Sequence, residues 1–131
     1  MIVVDASALV AIGDLEDDAE RFAAAISRAS AAVISPINAV EAGLILIGRH
    51  RFADIADFNR WLARLGVEVS GEPVDHSAAL AAYMSFGRNY HRARLNFADC
   101  FAYVLAKSLG APLLYKGDDF PMTDVRSALD V

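Results

Sequence analysis

Five acidic residues occupy places where the surrounding sequence gives no ordinary reason for a charge. Asp5 ends the β-branched run Ile2-Val3-Val4. Glu41 sits among Ile37, Val40, Leu44, Ile45, Leu46 and Ile47, and Asp99 is the only charge between Phe97 and Ala106. Asp118 and Asp119 follow the apolar Leu113-Leu114. A helix that is apolar all round is usually buried, and a buried carboxylate is costly unless it is paired or bound to a cation. Taken singly, each acid has a structural reading: Asp5 and Asp99 as helix caps, Glu41 as the partner of a buried Arg. Taken together they favour a carboxylate cluster.

Such a cluster has a chemical use. Carboxylates packed together repel and titrate as a coupled set until a cation joins them. Mg²⁺ or Mn²⁺, hard ions that prefer oxygen ligands, relieve the repulsion and stabilise charge on a phosphodiester during in-line displacement. The expected reaction class is metal-assisted phosphodiester hydrolysis.

The elements that must position these acids are legible as well. Ile2-Val3-Val4, Ala32-Val33-Ile34, Val67-Glu68-Val69 and Leu113-Leu114-Tyr115 read as short strands, with a further edge strand around Val125. Helical spacing joins Ala19, Phe22, Ala23, Ile26 and Ala29, and again Phe52, Ile55, Phe58, Trp61, Leu62 and Leu65. Ser35-Pro36 opens the helix of Glu41, Asp75 caps one through Leu80, Tyr83 and Met84, and Asn96 with Asp99 forms a capping-box pattern closed by Gly110. Alternating strands and helices predict an α/β fold, a three-layer α/β/α sandwich on a short, mostly parallel sheet. Ligands in such folds sit beyond the carboxyl ends of the strands, which is where Asp5 and Asp118 fall.

Composition bounds the rest. The 131 residues fit one domain, 1–131, and a chain of this length buries roughly two thirds of its unfolded surface. With 56% hydrophobic and 22% charged residues it is neither disordered nor low in complexity. A net charge of −5 argues against a binder that relies on basic side chains for phosphates, and leaves that task to a divalent ion. The single cysteine, Cys100, excludes an internal disulfide and suits a reducing cytoplasm. The expectation is a cytoplasmic protein with no signal peptide and no membrane span.

Four blocks in order carry a resemblance across essentially the whole chain: Ile2-Val3-Val4-Asp5-Ala6-Ser7, Glu41 on the helix opened by Ser35-Pro36, Asn96-Phe97-Ala98-Asp99-Cys100, and Gly117-Asp118-Asp119-Phe120. They resemble a PIN domain, and more narrowly the VapC-type toxins of bacterial toxin–antitoxin pairs. The resemblance implies a Mg²⁺- or Mn²⁺-dependent endoribonuclease restrained by a cognate VapB-type antitoxin, forming a homodimer and a toxin–antitoxin hetero-oligomer. It makes Asp5, Glu41 and Asp99 the acidic triad, with Asp5 and Asp99 as metal ligands and Ser7 in a supporting hydroxyl position. The family's usual ending places an Asp three residues before the Phe, and here that place is Gly117. Asp118 is therefore preferred as the fourth acid, with Asp119 as the alternative.

Other signals are weaker. Arg88, His91, Arg92 and Arg94 form a basic stretch ahead of Asp99, suited to RNA phosphates or an acidic tail, or merely to solvent. Lys116 follows a strand, within reach of a phosphate or solvated. Cys100 reads as a small buried residue rather than a nucleophile. The apolar excess suggests surface left for self-association or a partner helix. A receiver-type signalling domain lacks its acidic pair here, and a haloacid-dehalogenase-like phosphatase lacks Asp-x-Asp, because the chain has Asp5-Ala6-Ser7. The remaining rival is a PIN-like module that binds RNA or protein without cutting.

Overall fold

The computed structural model describes residues 1–130. The elements are β1 (Ile2–Val4), α1 (Ala6–Gly13), α2 (Ala19–Arg28), β2 (Ala32–Ile34), α3 (Pro36–Gly48), α4 (Ile55–Leu65), β3 (Val67–Val69), α5 (His76–Phe86), α6 (Phe97–Leu109) and β4 (Leu113–Leu114). The four strands form one sheet in the order β3-β2-β1-β4, with every neighbouring pair parallel. Val3 is opposite Val33 on one side and Leu113 on the other, so β1 is central.

Side chains alternate across the sheet as the pleat requires. Ile2, Val4, Ala32, Ile34 and Leu114 face a core built with α1 to α4, where Leu9, Phe22, Leu46 and Phe58 are buried. Val3 and Leu113 face a second core with Leu95, Cys100, Ala102 and Ala106, on the side of α5 and α6. These are the three layers expected. The chain steps outward from β1 to β2 to β3, then crosses back to place β4 on β1's other side. The order of strands therefore reverses beside β1, and a ligand crevice belongs at that end of the sheet.

Two expectations need correction. The edge strand expected around Val125 reduces to a single bridge between Leu113 and Ser127, with the Leu113 N–H donating to the Arg126 carbonyl at 2.8 Å. Val125 is instead a buried core residue after the 3₁₀ turn Phe120–Met122. Nor is α3 buried all round: Val40 and Leu44 are 60% and 73% exposed. Its apolar periodicity reports a face left uncovered, not a helix enclosed on every side.

Candidate active site

β1 is followed by Asp5, whose N–H donates to the Leu114 carbonyl at 2.9 Å and extends the β1–β4 pairing by one residue. The next residue begins α1, and Asp5 is its N-cap. The Ser7 N–H and hydroxyl both donate to Asp5 Oδ2, at 3.1 and 2.6 Å. Asp5 Oδ1 is buried without a hydrogen-bond partner among the described residues. A capping role and a place in a cluster are thus not alternatives, because the cap uses one oxygen and leaves the other.

Asp99 repeats the arrangement at the start of α6. Its N–H donates to Asn96 Oδ1 at 2.8 Å, and the Asn96 N–H donates back to Asp99 Oδ2 at 3.0 Å, a complete capping box. Glu41 reaches the same cleft from the middle of α3. One turn earlier on α3, Asn38 is fully buried and donates through Nδ2 to the Ala98 carbonyl at 3.0 Å, tying α3 to the residue before Asp99. Sequence reasoning passed over Asn38. The signal was present, since Asn38 and Glu41 are the only polar side chains in α3.

Asp5, Glu41, Asp99 and Asp119 line one cleft of about 380 Å³, with Ser7, Glu16, Asn96 and Lys116 on its walls. Asp118, preferred on sequence as the fourth acid, is exposed and does not line it. The cause is local. Gly117 has φ of +113°, which turns the chain, and Asp119 starts the 3₁₀ turn whose Phe120 is buried. Anchoring Phe120 puts its immediate neighbour Asp119, and not Asp118, on the cleft wall.

The electrostatics follow from this packing. Burial pushes the Asp5 carboxyl above its ordinary value, opposed by the Ser7 bonds and reinforced by the charge of Asp119. Glu41 is raised by burial and then by Asp5, with the Asn38 amide acting the other way. Asp99 is pushed up to about 7, by burial first, with Asp5, Glu41 and Asp119 adding repulsion against the Asn96 bond. Cys100, beside Asp99, is pushed up to about 11 by burial and by the Asp99 charge, so it is a thiol and no nucleophile near neutrality.

The donor set suits a hard cation: four carboxylates, one of them with a buried oxygen that has no hydrogen-bond partner among the described residues. Among the described residues, no three acidic, His or Cys side chains already converge as a complete ligand cage. That is compatible with Mg²⁺, which keeps several waters and takes one or two protein carboxylates. Among the described residues no helix is long and apolar enough to cross a membrane.

Comparison with known proteins places the chain in a family. Residues 2–125 match the PIN domain family. The chain is 42% identical over 125 residues to the VapC ribonuclease Mb0640 of Mycobacterium bovis, covering 95% of each protein. It is 38% identical over 125 residues to the ribonuclease VapC of Mycolicibacterium smegmatis, covering 95% of this chain and 97% of that one. The crystal structure of Mycobacterium tuberculosis VapC20, a sarcin-ricin loop cleaving toxin, shares the fold with a TM-score of 0.68 at 23% identity, over 96% of this chain and 99% of that chain. On its sequence over nearly its full length, and on a parallel sheet with acids gathered at its carboxyl end, the chain belongs to the PIN domain family, among the VapC ribonucleases.

Proposed function

We propose that the protein is the toxin of a toxin–antitoxin pair, a divalent-metal-dependent endoribonuclease that cuts through the carboxylate cleft beside β1. The observation that carries this reading is the gathering of Asp5, Glu41, Asp99 and Asp119 from four separate segments onto one cleft. A module that only bound RNA would have no use for mutually repelling acids facing a polyanion.

Asp5 and Asp99 would hold the ion, Mg²⁺ or Mn²⁺. When bound, it supplies the positive charge that the scissile phosphate and the incoming water require. The protein's own groups do the positioning. Ser7 fixes the rotation of Asp5 by holding Oδ2, so that Oδ1 remains for the cleft. Asn96 fixes Asp99 in the same way, and Asn38 holds α3 against the turn that carries it. Glu41 and Asp119 are the remaining carboxylates, placed for one of them to take a proton from water as its oxygen bonds to phosphorus and the ester P–O bond breaks, the leaving oxygen taking a proton from solvent. Burial raises the affinity of Glu41 for a proton above that of an exposed carboxylate, which makes it the stronger base.

Two apolar grooves support the partners expected of such a toxin. One of about 560 Å³ lies between α3 and α4, bordered by Val40, Leu44 and Ile55. The other, about 590 Å³, lies along α5 and α6 and is bordered by Leu80, Phe97 and Phe101. Apolar surface of this kind is used for an amphipathic antitoxin helix and for a second copy of the chain. The α5–α6 groove shares Asn96 with the acidic cleft, so a partner seated there would also bear on the active site.

The test is RNA cleavage by the purified protein with Mg²⁺, with Mn²⁺ and with EDTA, beside Asp5→Asn. Cutting that needs the ion and is lost in the variant is the expected result. RNA left intact by the metal-loaded wild type across structured and unstructured substrates would favour the binding-module reading. Cutting that survives both EDTA and the substitution would come from a contaminant.

A further inference from the structure

The acidic cleft has one feature that hydrolysis by a carboxylate-held ion does not use. Among its lining residues five are acidic (Asp5, Glu16, Glu41, Asp99 and Asp119), and Lys116 is the only basic one. An RNA strand entering the cleft brings one negative charge per phosphate to a wall that is already strongly negative. An ion held by Asp5 and Asp99 offsets charge at the scissile phosphate. It does nothing for the next phosphate along the strand.

Lys116 is built for that neighbour. Its main chain is fixed, because its N–H donates to Ser7 Oγ at 2.9 Å, the same hydroxyl that donates to Asp5. The residue that orients the first carboxylate therefore also sets where Lys116 leaves the sheet. Its ammonium rests on Glu16 Oε1 and, at 3.3 Å, on Asp18 Oδ1, both from the α1–α2 connection. All three side chains are substantially exposed, between 30% and 42%. Ion pairs so open to water are weakly held, and exchanging a carboxylate for a phosphate oxygen costs little. A Lys on a flexible stem presents a mobile point charge, suited to a phosphate whose position varies with sequence.

We propose that Lys116 is a substrate-positioning residue: its ammonium leaves Glu16 to take a backbone phosphate of the RNA strand flanking the one cut at the carboxylate cluster. Glu16 and Asp18 are then placeholders that keep the Lys at the rim and compete with RNA for it. The inference rests on the nuclease reading above.

A purely structural role makes a different prediction, and this separates the two. If the Lys116–Glu16–Asp18 contacts only tie the α1–α2 connection to the end of β4, breaking them from either side has the same effect. If Lys116 serves RNA, removing the Lys and removing its acid act in opposite directions. The probe is a short fluorescent single-stranded RNA, and the readout is anisotropy over a range of salt with Mg²⁺ present. All proteins carry Asp99→Asn, so that binding is read without cutting. Lys116→Met is expected to weaken binding about 5- to 10-fold at low salt and to reduce the slope of log K against log salt by ~0.7, the value for one phosphate contact on a single strand. Lys116→Arg should keep the slope. Glu16→Gln should tighten binding severalfold. Equal slopes for Lys116→Met and its parent, or weaker binding in Glu16→Gln, would overturn the proposal. Failure of the nuclease reading shows elsewhere, as absence of metal-dependent cleavage by the wild type.

Discussion

Ser7 and Asp5 are joined twice at one oxygen: the Ser7 N–H and hydroxyl both donate to Asp5 Oδ2, while Asp5 Oδ1 lies buried with no hydrogen-bond partner among the described residues. A buried polar atom without a partner is uncommon and asks for a reason. Here the reason is chemical. The helix cap takes half of the carboxylate and immobilises the other half toward a cleft in which four further acids stand, Glu16, Glu41, Asp99 and Asp119. Ser7→Ala removes the hydroxyl from Asp5 and from the Lys116 N–H together. It should lower kcat by ~10–100-fold, as loss of a group orienting a metal ligand does. It should also cost about 1–2 kcal/mol of stability. Ser7→Thr should recover most of both, as checked by cleavage rates and urea unfolding.

Asp118 and Asp119 provide a neighbouring pair in which only one residue faces the site. Asp119→Asn is expected to reduce cleavage at least ~10-fold, in the range of a general acid–base or electrostatic contribution. Asp118→Asn should stay within about twofold of wild type, because an exposed residue away from the cleft has little influence there. Cleavage rates at saturating Mg²⁺ decide it. A reversed ranking would return the role to Asp118.

Asp99 couples the site to stability. Its carboxyl is pushed up to about 7 in the folded protein, against 3.8 when unperturbed, so between these values the folded state binds the proton more tightly than the unfolded chain does. Stability is therefore fullest below the window and falls as pH rises through it. Asp14 and Asp124, held below the usual range by their basic and hydroxyl partners, act in the opposite sense but only in more acidic solution. In EDTA the protein should lose about 1–3 kcal/mol between pH 5 and pH 8, which thermal melts can measure. Asp99→Asn should flatten that slope. A metal-free protein that gains stability over this range would contradict the packing described.

How much of this was legible in the sequence depends on how local the cause is. Asp5 at the end of a β-branched run, the Ser35-Pro36 helix start and the Asn96–Asp99 capping box are short-range patterns, and each forms as its spacing requires. The choice between Asp118 and Asp119 is not of this kind. It turns on a positive φ at Gly117 and on the burial of Phe120, which are set by packing and not by the four residues themselves. The exposure of Val40 and Leu44 was illegible for a related reason. An apolar helix reads the same whether its surface is covered by its own chain or kept for another. The Lys116–Glu16 contact joins residues 100 positions apart, beyond any local signal.

Gly87 tests the support behind Asp99. A Cβ placed there would lie 2.3 Å from the Tyr83 carbonyl oxygen, a backbone atom that cannot swing aside. Gly87 ends α5, and its neighbours close the basic loop through the Arg88 N–H to the Leu95 carbonyl at 3.0 Å. Gly87→Ala should cost about 1–3 kcal/mol, read as a lower Tm. The shift should disturb the loop that leads into Asn96. Gly48→Ala, with open space around its Cβ, is the control expected to leave stability nearly unchanged or raise it.

On the proposed function, a divalent cation bound by the acids at the end of β1 holds them together. Calorimetric titration of Mn²⁺ into metal-free protein at pH 8 tests it most directly, with wild type, Asp5→Asn, Asp99→Asn and Asp118→Asn side by side. The expected result is saturable binding to the wild type, unchanged in Asp118→Asn and weakened by ~10-fold or more in each of the other two. Equal binding by all four proteins, or no saturable binding by the wild type, would contradict it.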